Sequence, residues 1–232
     1  MNTDGSAVSL PPDDVLIAKT AAAANAVALV EPGMLVGLGT GSTAALAIEA
    51  LARRVVAGLN VRCVATSLAS DALARQHGLD VIAFDDVARV DLAIDGADEV
   101  DPELRAIKGA GGAFLREKIV ARAAARMICV VDSTKQVAAL GQRPVPVEVL
   151  PFAHSFVSRA VAQLSGSAVL REGVSDQGNM ILDCQWERIS DPALLDRQLS
   201  NVPGLLGHGL FLSEIDELHV GGSSGVEVFR RA

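Results

Sequence analysis

Short apolar runs alternate along this chain with longer stretches in which Ala, Leu and Val recur at helical spacing. The runs at 34–38, 61–65, 80–84, 91–94 and 127–131 have the length of strands. Between them, 43–57 and 68–77 have the length and pattern of helices, the second ended by Gly78. A first helix is expected to begin at Asp13 or Asp14, either of which can cap it, and to stop at Glu31-Pro32-Gly33. A glycine-rich turn at 109–112 opens another helix running to about residue 125. Regular alternation of strand and helix is the signature of parallel βαβ units.

Pro144-Val145-Pro146 then breaks the pattern. Beyond it come a strand at 147–150, a helix at 154–164, strands at 168–171 and 180–183, and a helix at 192–199, a βαββα order that suits a small α+β domain. The last apolar segments, 217–220 and 226–229, flank a glycine turn and could rejoin the first sheet. The expected organisation is a flexible leader at 1–12, a main α/β domain from 13–143 plus 208–232, and a smaller α+β domain at 144–207 that serves as a contact between copies.

Composition narrows the core. Half of the 232 residues are apolar, yet aromatics make up 3% and tyrosine is absent, so the interior must be built from Ala, Val, Leu and Ile. That suits buried parallel strands under alanine-rich helices. A net charge of −8 argues against nucleic-acid binding, and any site for an anion must win locally, through placed cations and backbone amides. Cys63, Cys129 and Cys184 are far apart and lie in or beside apolar runs, which reads as buried thiols in a reducing compartment. His77, His154, His208 and His219 show no paired-ligand spacing, so no bound metal is expected. The apolar stretch 15–30 is interrupted by Lys19, Thr20 and Asn25 and is too short to span a bilayer; a cytoplasmic protein without membrane contact is expected.

Four segments could carry chemistry. The turn Gly37-Leu38-Gly39-Thr40-Gly41-Ser42-Thr43 joins a strand to a helix, where glycines let backbone approach a ligand and the helix amides favour an anion. It completes neither the dinucleotide fingerprint nor a P-loop, and a tight packing turn is the alternative. Asp95-Gly96-Ala97-Asp98-Glu99-Val100-Asp101 follows a strand, at the edge where α/β sheets hold ligands. It could equally be a solvated acidic loop or a divalent-cation site. In Lys108-Gly109-Ala110-Gly111-Gly112, followed by Glu117 near Ile119 and Val120, partial desolvation would raise the glutamate toward the range of a general base; a solvated surface glutamate is the alternative. Asp132-Ser133-Thr134-Lys135 again sits at a strand end, with Lys135 either reaching a phosphate or simply exposed. The chain uses only four lysines among its 20 Lys and Arg, and Lys19, Lys108 and Lys135 fall in or near these segments. Where a compact ammonium is kept in an arginine-rich chain, a specific task is suggested.

Together GLGTGST (37–43), DGADEVD (95–101), KGAGGAFLREK (108–118), DSTK (132–135) and PVEVLPF (146–152), in that order, resemble the ribose-5-phosphate isomerase A family over nearly the whole chain from Asp13 onward. The resemblance implies a Rossmann-like, mostly parallel sheet flanked by helices with a second, smaller α+β domain. It also implies a homodimer or homotetramer, and no metal or organic cofactor. The implied activity is interconversion of ribose 5-phosphate and ribulose 5-phosphate through an enediolate, in the non-oxidative pentose phosphate branch. Carried over by position, Glu117 matches the general base, and Asp95, Asp98 and Lys108 match the polar catalytic groups. Thr40, Gly41, Ser42 and Thr43 match the substrate loop, with Gly96, Ala97, Gly109, Ala110 and Gly111 lining the rest, and Lys19 and Lys135 beside the phosphate. Ala110 stands where some members carry glycine, and the leader is longer than the family pattern. A non-catalytic sugar-phosphate sensor is the main rival, but a sensor should carry a basic DNA-binding element. A dinucleotide-dependent dehydrogenase is disfavoured by Ser67-Leu68-Ala69-Ser70 at the place of a ribose-binding carboxylate.

Overall fold

The computed structural model describes residues 11–85 and 87–231; most of the expected leader lies outside them. The chain runs α1 (Pro12–Val27), β1 (Leu35–Leu38), α2 (Ser42–Val56), β2 (Arg62–Ala65), α3 (Leu68–Gln76), β3 (Leu92–Asp95), β4 (Glu99–Val100), β5 (Ala106–Ile107), α4 (Phe114–Ala123) and β6 (Met127–Asp132). It continues through β7 (Val145–Val149), α5 (His154–Gln163), β8 (Gly166–Leu170), β9 (Met180–Trp186), α6 (Pro192–Ser200), β10 (Leu205–His208), β11 (Leu210–Phe211), β12 (Glu217–Gly222) and β13 (Gly225–Arg230).

The main sheet has the order β13-β12-β6-β3-β1-β2; all neighbours pair in parallel except the terminal β12–β13 hairpin. Its central strands are buried on both faces, which is why they read as unbroken apolar runs. One face packs under the alanine-rich sides of α1 and α2, through Ala22, Ala26, Ala47 and Leu51. The other packs against α4 and β11, through Phe114, Val120 and Phe211. A second, antiparallel sheet, β10-β7-β9-β8, carries α5 and α6 and has its own core around Val147, Leu182, Trp186 and Leu199, forming the smaller α+β unit. A small third sheet, β11-β5-β4, joins the two. Among the described residues no helix is long and apolar enough to cross a membrane.

The pattern misplaced several local features. Asp13 and Asp14 do not cap α1: the cap position is Pro11, Pro12 opens the helix, and both aspartates lie in its first turn, where they still favour the helix dipole. The run 80–84 is not a strand; only Val81 bridges Cys63, in parallel. Pro146 does not stop β7. Its carbonyl accepts from Gly209 N at 2.8 Å, so its missing N–H falls on that side, past the end of β10, and leaves the β9 ladder intact. The two-residue strands β4, β5 and β11 carry too few residues for a periodicity, and β10 contains a glycine and a bulge; none was foreseen. All three cysteines are buried and unpaired, as their apolar settings implied.

Candidate active site

The order of the main sheet reverses direction between β1 and β3: the chain leaves β1 toward β2 on one side and leaves β3 toward β6 on the other. A crevice therefore opens beyond the carboxyl ends of these two strands, the usual ligand position in an open α/β sheet. Residues 39–43 follow β1 and residues 96–98 follow β3, so the first two motifs meet there. The third arrives because β11 pairs with β5 and Lys108 N donates to the carbonyl of Gly209, just before β11, at 2.9 Å, placing the turn 109–112 opposite them. A cavity of about 180 Å³ results, walled by residues 40–43, 96–98 and 108–111 with Lys19, Glu117 and Lys135. Asp95 lies one layer deeper, 3% exposed.

At the inner end three charged groups are packed out of water. Lys108 Nζ lies 2.9 Å from Asp95 Oδ2 and 3.0 Å from Glu117 Oε2, and it also donates to the Gly96 carbonyl. Lys108 and Glu117 are 3% and 4% exposed, so this is a dry cluster and not a surface ion pair. The Asp95–Lys108 contact is fixed further by Asp95 Oδ1, which accepts from Thr40 N at 3.0 Å and Gly96 N at 2.7 Å. That approach requires glycine at 39, where a Cβ would fall 2.1 Å from the Asp95 carboxyl. Gly109 is likewise obligatory, at φ +112 and with a Cβ 2.5 Å from the Phe114 ring.

Electrostatics at this end follow from burial and neighbours. Desolvation pushes the Glu117 carboxyl up to about 8; the Asp95 charge adds to this and Lys108 opposes it. Burial alone would depress Lys108, but Asp95 and Glu117 together hold it above its ordinary value. Glu117 Oε2 faces the Lys108 ammonium and has no other polar partner among the described residues. The fully buried Phe211 ring lies beneath, with Lys108 Nζ 5.3 Å and Lys118 Nζ 5.0 Å from its centroid. Lys118, the next residue after Glu117, turns away from the cavity and donates to the Leu210 carbonyl at 2.6 Å, tying α4 to β11.

The outer end is built differently. Lys19 Nζ, from α1, donates to Ser42 Oγ at 3.2 Å and stands 3.9 Å from Asp132 Oδ2. Asp132 is buried and shapes the turn after β6 by accepting from Thr134 N at 3.0 Å, which presents Lys135 to the cavity. Ser42 and Thr43 open α2, so their amides and the helix dipole face the same space. Between the two ends, Asp98 Oδ2 accepts from Ala110 N at 2.9 Å.

The structure thus gathers every site residue anticipated from the sequence in or directly under one cavity. It also adds residues that were not anticipated. Thr66 Oγ1 lies 2.8 Å from Thr40 Oγ1 and donates to the Leu38 carbonyl at 3.0 Å, and Ser70 Oγ donates to the Gly39 carbonyl at 2.6 Å; together they brace the first turn from behind. The cluster of serine and threonine at 66–70 was the available signal, since such side chains bond nearby backbone. Phe211 and Lys118 carried none, because their partners are distant in sequence.

A switch-point crevice with a buried carboxylate–ammonium pair at one end and an amide- and lysine-lined anion cradle at the other defines an α/β protein equipped to move protons on a small anionic ligand. The comparisons with known proteins all point to one family. The family model of ribose 5-phosphate isomerase A (phosphoriboisomerase A) matches residues 62–225. Ribose-5-phosphate isomerase A of Sphingopyxis alaskensis is 47% identical over 218 residues, covering 92% of this chain and 96% of that protein. The solved ribose 5-phosphate isomerase A of Methanocaldococcus jannaschii superposes with a TM-score of 0.89 at 39% identity, covering 92% of this chain and 98% of that one. A D-ribose-5-phosphate isomerase solved in complex with phospho-erythronic acid gives a TM-score of 0.90 at 37% identity, covering 94% of this chain and 99% of that one. The chain belongs to the ribose 5-phosphate isomerase A family.

Proposed function

We propose that this protein interconverts ribose 5-phosphate and ribulose 5-phosphate, with Glu117 as the base that carries the carbon-bound proton. The observation that supports this most is the dry Glu117–Lys108–Asp95 cluster beside an anion cradle. Aldose–ketose exchange requires removal of a proton from C2 and its return to C1, with an enediolate between. Glu117, its basicity raised by desolvation, removes that proton and returns it. Lys108, fixed by Asp95 and already charged, stabilises the oxyanion that develops beside it. Both Asp95 oxygens are occupied by Lys108, Thr40 N and Gly96 N, whereas Asp98 lies on the cavity wall with one oxygen held by Ala110 N. This favours Asp98 as the carrier of the hydroxyl proton and leaves Asp95 to hold the ammonium.

Ser42, Thr43, Lys19 and Lys135 take the phosphate, and binding this non-reacting end sets C2 against Glu117. Phospho-erythronic acid, present in a related structure, suits both ends in the same way: its phosphate matches the cradle and its planar carboxylate resembles the enediolate. A sensor would need only the cradle; a buried base–cation pair costs folding energy that binding alone does not require.

Three coarser features belong to the same proposal. The chain divides into a catalytic part, 13–143 plus 208–232, and a small domain, 144–207. The latter exposes Phe152 at 97%, flanked by Leu150 and Phe156, as a contact in a homodimer or homotetramer. The setting is cytoplasmic.

The decisive experiment incubates purified protein with ribose 5-phosphate in D₂O containing EDTA and follows the sugars by NMR. Ketose appearing at catalytic rates, with deuterium at C2 of recovered aldose, is the expected result. Binding without either product would move the sensor reading ahead.

A further inference from the structure

The turn 109–112 forms one wall of the cavity, and Ala110 is exposed, so water could serve its carbonyl at little cost. Instead a guanidinium crosses from the other domain to hold it together with the carbonyl of the buried Gly109. Arg171, just past β8, donates through Nη1 to the Gly109 carbonyl at 2.9 Å and the Ala110 carbonyl at 3.2 Å. Its Nε donates to Asp183 Oδ2 at 3.0 Å and its Nη2 to Asp183 Oδ1, a two-point grip that fixes the plane of the guanidinium. On the other side of the same turn Ala110 N is held by Asp98. The backbone of residues 109 and 110 is therefore pinned by its carbonyls to the small domain and by its amide to the candidate proton carrier.

The same hairpin reaches the opposite wall. Asp176, at its tip, accepts from Leu68 N at 2.7 Å at the start of α3, next to Thr66 and Ser70, which brace the turn 39–43. The tip is itself anchored to β7, Ser175 Oγ donating to Glu148 Oε1 at 2.6 Å and Asn179 Nδ2 at 2.9 Å. The two glycine turns approach each other across the cavity, since a Cβ on Gly111 would lie 3.3 Å from Thr40 Cγ2. One hairpin thus touches the supports of both.

We propose that Arg171 is a positioning residue for the isomerisation: from the small domain it sets the turn 109–111 so that Lys108, Ala110 N and Asp98 hold the reacting end of the sugar, while the phosphate end is left to residues it does not touch. This rests on the isomerase reading above. A charged bidentate clamp gives geometric control that water would not, and misplacing a reacting group by about 1 Å can cost on the order of 100-fold in rate.

The test compares wild type, Arg171→Met and Arg171→Lys by kinetics, by calorimetry with two probes, and by hydrogen exchange. Arg171→Met is expected to lower kcat/KM by about 10- to 100-fold. It should weaken phospho-erythronic acid by a similar factor, leave the affinity for inorganic phosphate unchanged, and speed exchange of the amides at 109–112. Arg171→Lys, which keeps the charge but not the fork, is expected to recover part of the loss. Unchanged turnover and acid affinity in Arg171→Met would overturn the proposal, as would an equal loss of phosphate affinity, which would mean general loosening. If Arg171→Met does not fold, Asp183→Asn, which frees the guanidinium plane, must show the same split between the two probes or the idea fails. Should the wild type prove inactive on ribose 5-phosphate, the isomerase reading falls by itself. Faster exchange at 109–112 in Arg171→Met, with phosphate binding intact, would still establish the positioning role.

Discussion

The two ends of the cavity solve opposite problems. At the inner end Lys108, Glu117 and Asp95 are nearly sealed from solvent and Lys108 touches both carboxylates, so the charges act strongly and Glu117 and Lys108 are both held above their ordinary pKa values. At the outer end Lys19 and Lys135 are half-buried, Lys19 stands 3.9 Å from Asp132, and the remaining donors are hydroxyls and helix amides. A group that must accept and return a carbon-bound proton gains from a dry setting, because burial brings its basicity near working pH. A group that only grips a phosphate gains little from that and is better left hydrated and adjustable. On the proposed reading, the difference lets a chain of net charge −8 hold an anion, because the favourable charge is local and graded.

If this division holds, the inner end governs turnover and the outer end governs affinity. Glu117→Gln should break it most severely. The amide keeps the shape but cannot take a proton, so kcat should fall by about 1,000-fold, within the range for loss of a general base, with KM little changed. Steady-state assays by ketose formation decide it; a variant with near-normal kcat would remove Glu117 from the chemistry.

Much of this division was readable in the chain, for a physical reason. The βαβ alternation gave the main sheet because parallel strands buried on both faces leave unbroken apolar runs, and the glycine turns gave the ligand edge because each sits between a strand and a helix. Glu117 was marked by the company of Ile119 and Val120 on its helix. What the chain hid is what depends on distant partners. Asp95 and Asp98 look alike in sequence; only their donors, Thr40 N and Lys108 against Ala110 N, separate them. Arg171 and Phe211 meet the site through pairings 60 or more residues away, as the Arg171–Gly109 separation of 62 illustrates, and no local period reports such contacts. The failed strand at 80–84 has the same origin, since its composition allows a strand but only Cys63 is there to pair with it.

Asp95→Asn sharpens the comparison from inside the dry end. Asp95 raises the Glu117 pKa and holds the Lys108 ammonium, so the variant should lose rate by roughly 100-fold, comparable to losing one electrostatic support. The sign of the pH effect is the sharper readout. With Glu117 as the proposed base, activity needs its carboxylate, so kcat/KM in the wild type should rise with pH along a limb above the ordinary glutamate range. Removing a neighbouring negative charge leaves Lys108 less opposed, lowers the Glu117 pKa and moves that limb to lower pH. Comparing both proteins with the same substrate cancels the titration of the substrate phosphate. A limb that stays in place or moves upward would mean that another group sets it.

Lys19→Met tests the outer end. The methionine keeps much of the apolar stem and removes the charge from the cradle. KM and the dissociation constant for inorganic phosphate should each rise about 10-fold, corresponding to about 1.4 kcal/mol, with kcat within a few-fold of wild type. A fall in kcat with unchanged phosphate affinity would place Lys19 in the chemistry and collapse the distinction between the ends.

The smallest expected effect lies between them. Thr66 is 2% exposed and supports Thr40 from behind, its hydroxyl bonded to Thr40 Oγ1 at 2.8 Å and to the Leu38 carbonyl at 3.0 Å. Thr66→Val preserves the branched shape that suits the strand end but deletes both bonds. The Leu38 carbonyl still accepts from the backbone N–H of residue 66 at 3.0 Å, so only the Thr40 hydroxyl loses its main support. The expected loss is therefore that of one partly replaceable hydrogen bond, about 1 kcal/mol in unfolding free energy and a few-fold in KM. Because the Asp95 bonds to Thr40 N and Gly96 N are untouched, the pH limb should not move. A shifted limb would show that the hydroxyl brace reaches the inner cluster, and the two ends would then have to be treated as one coupled unit.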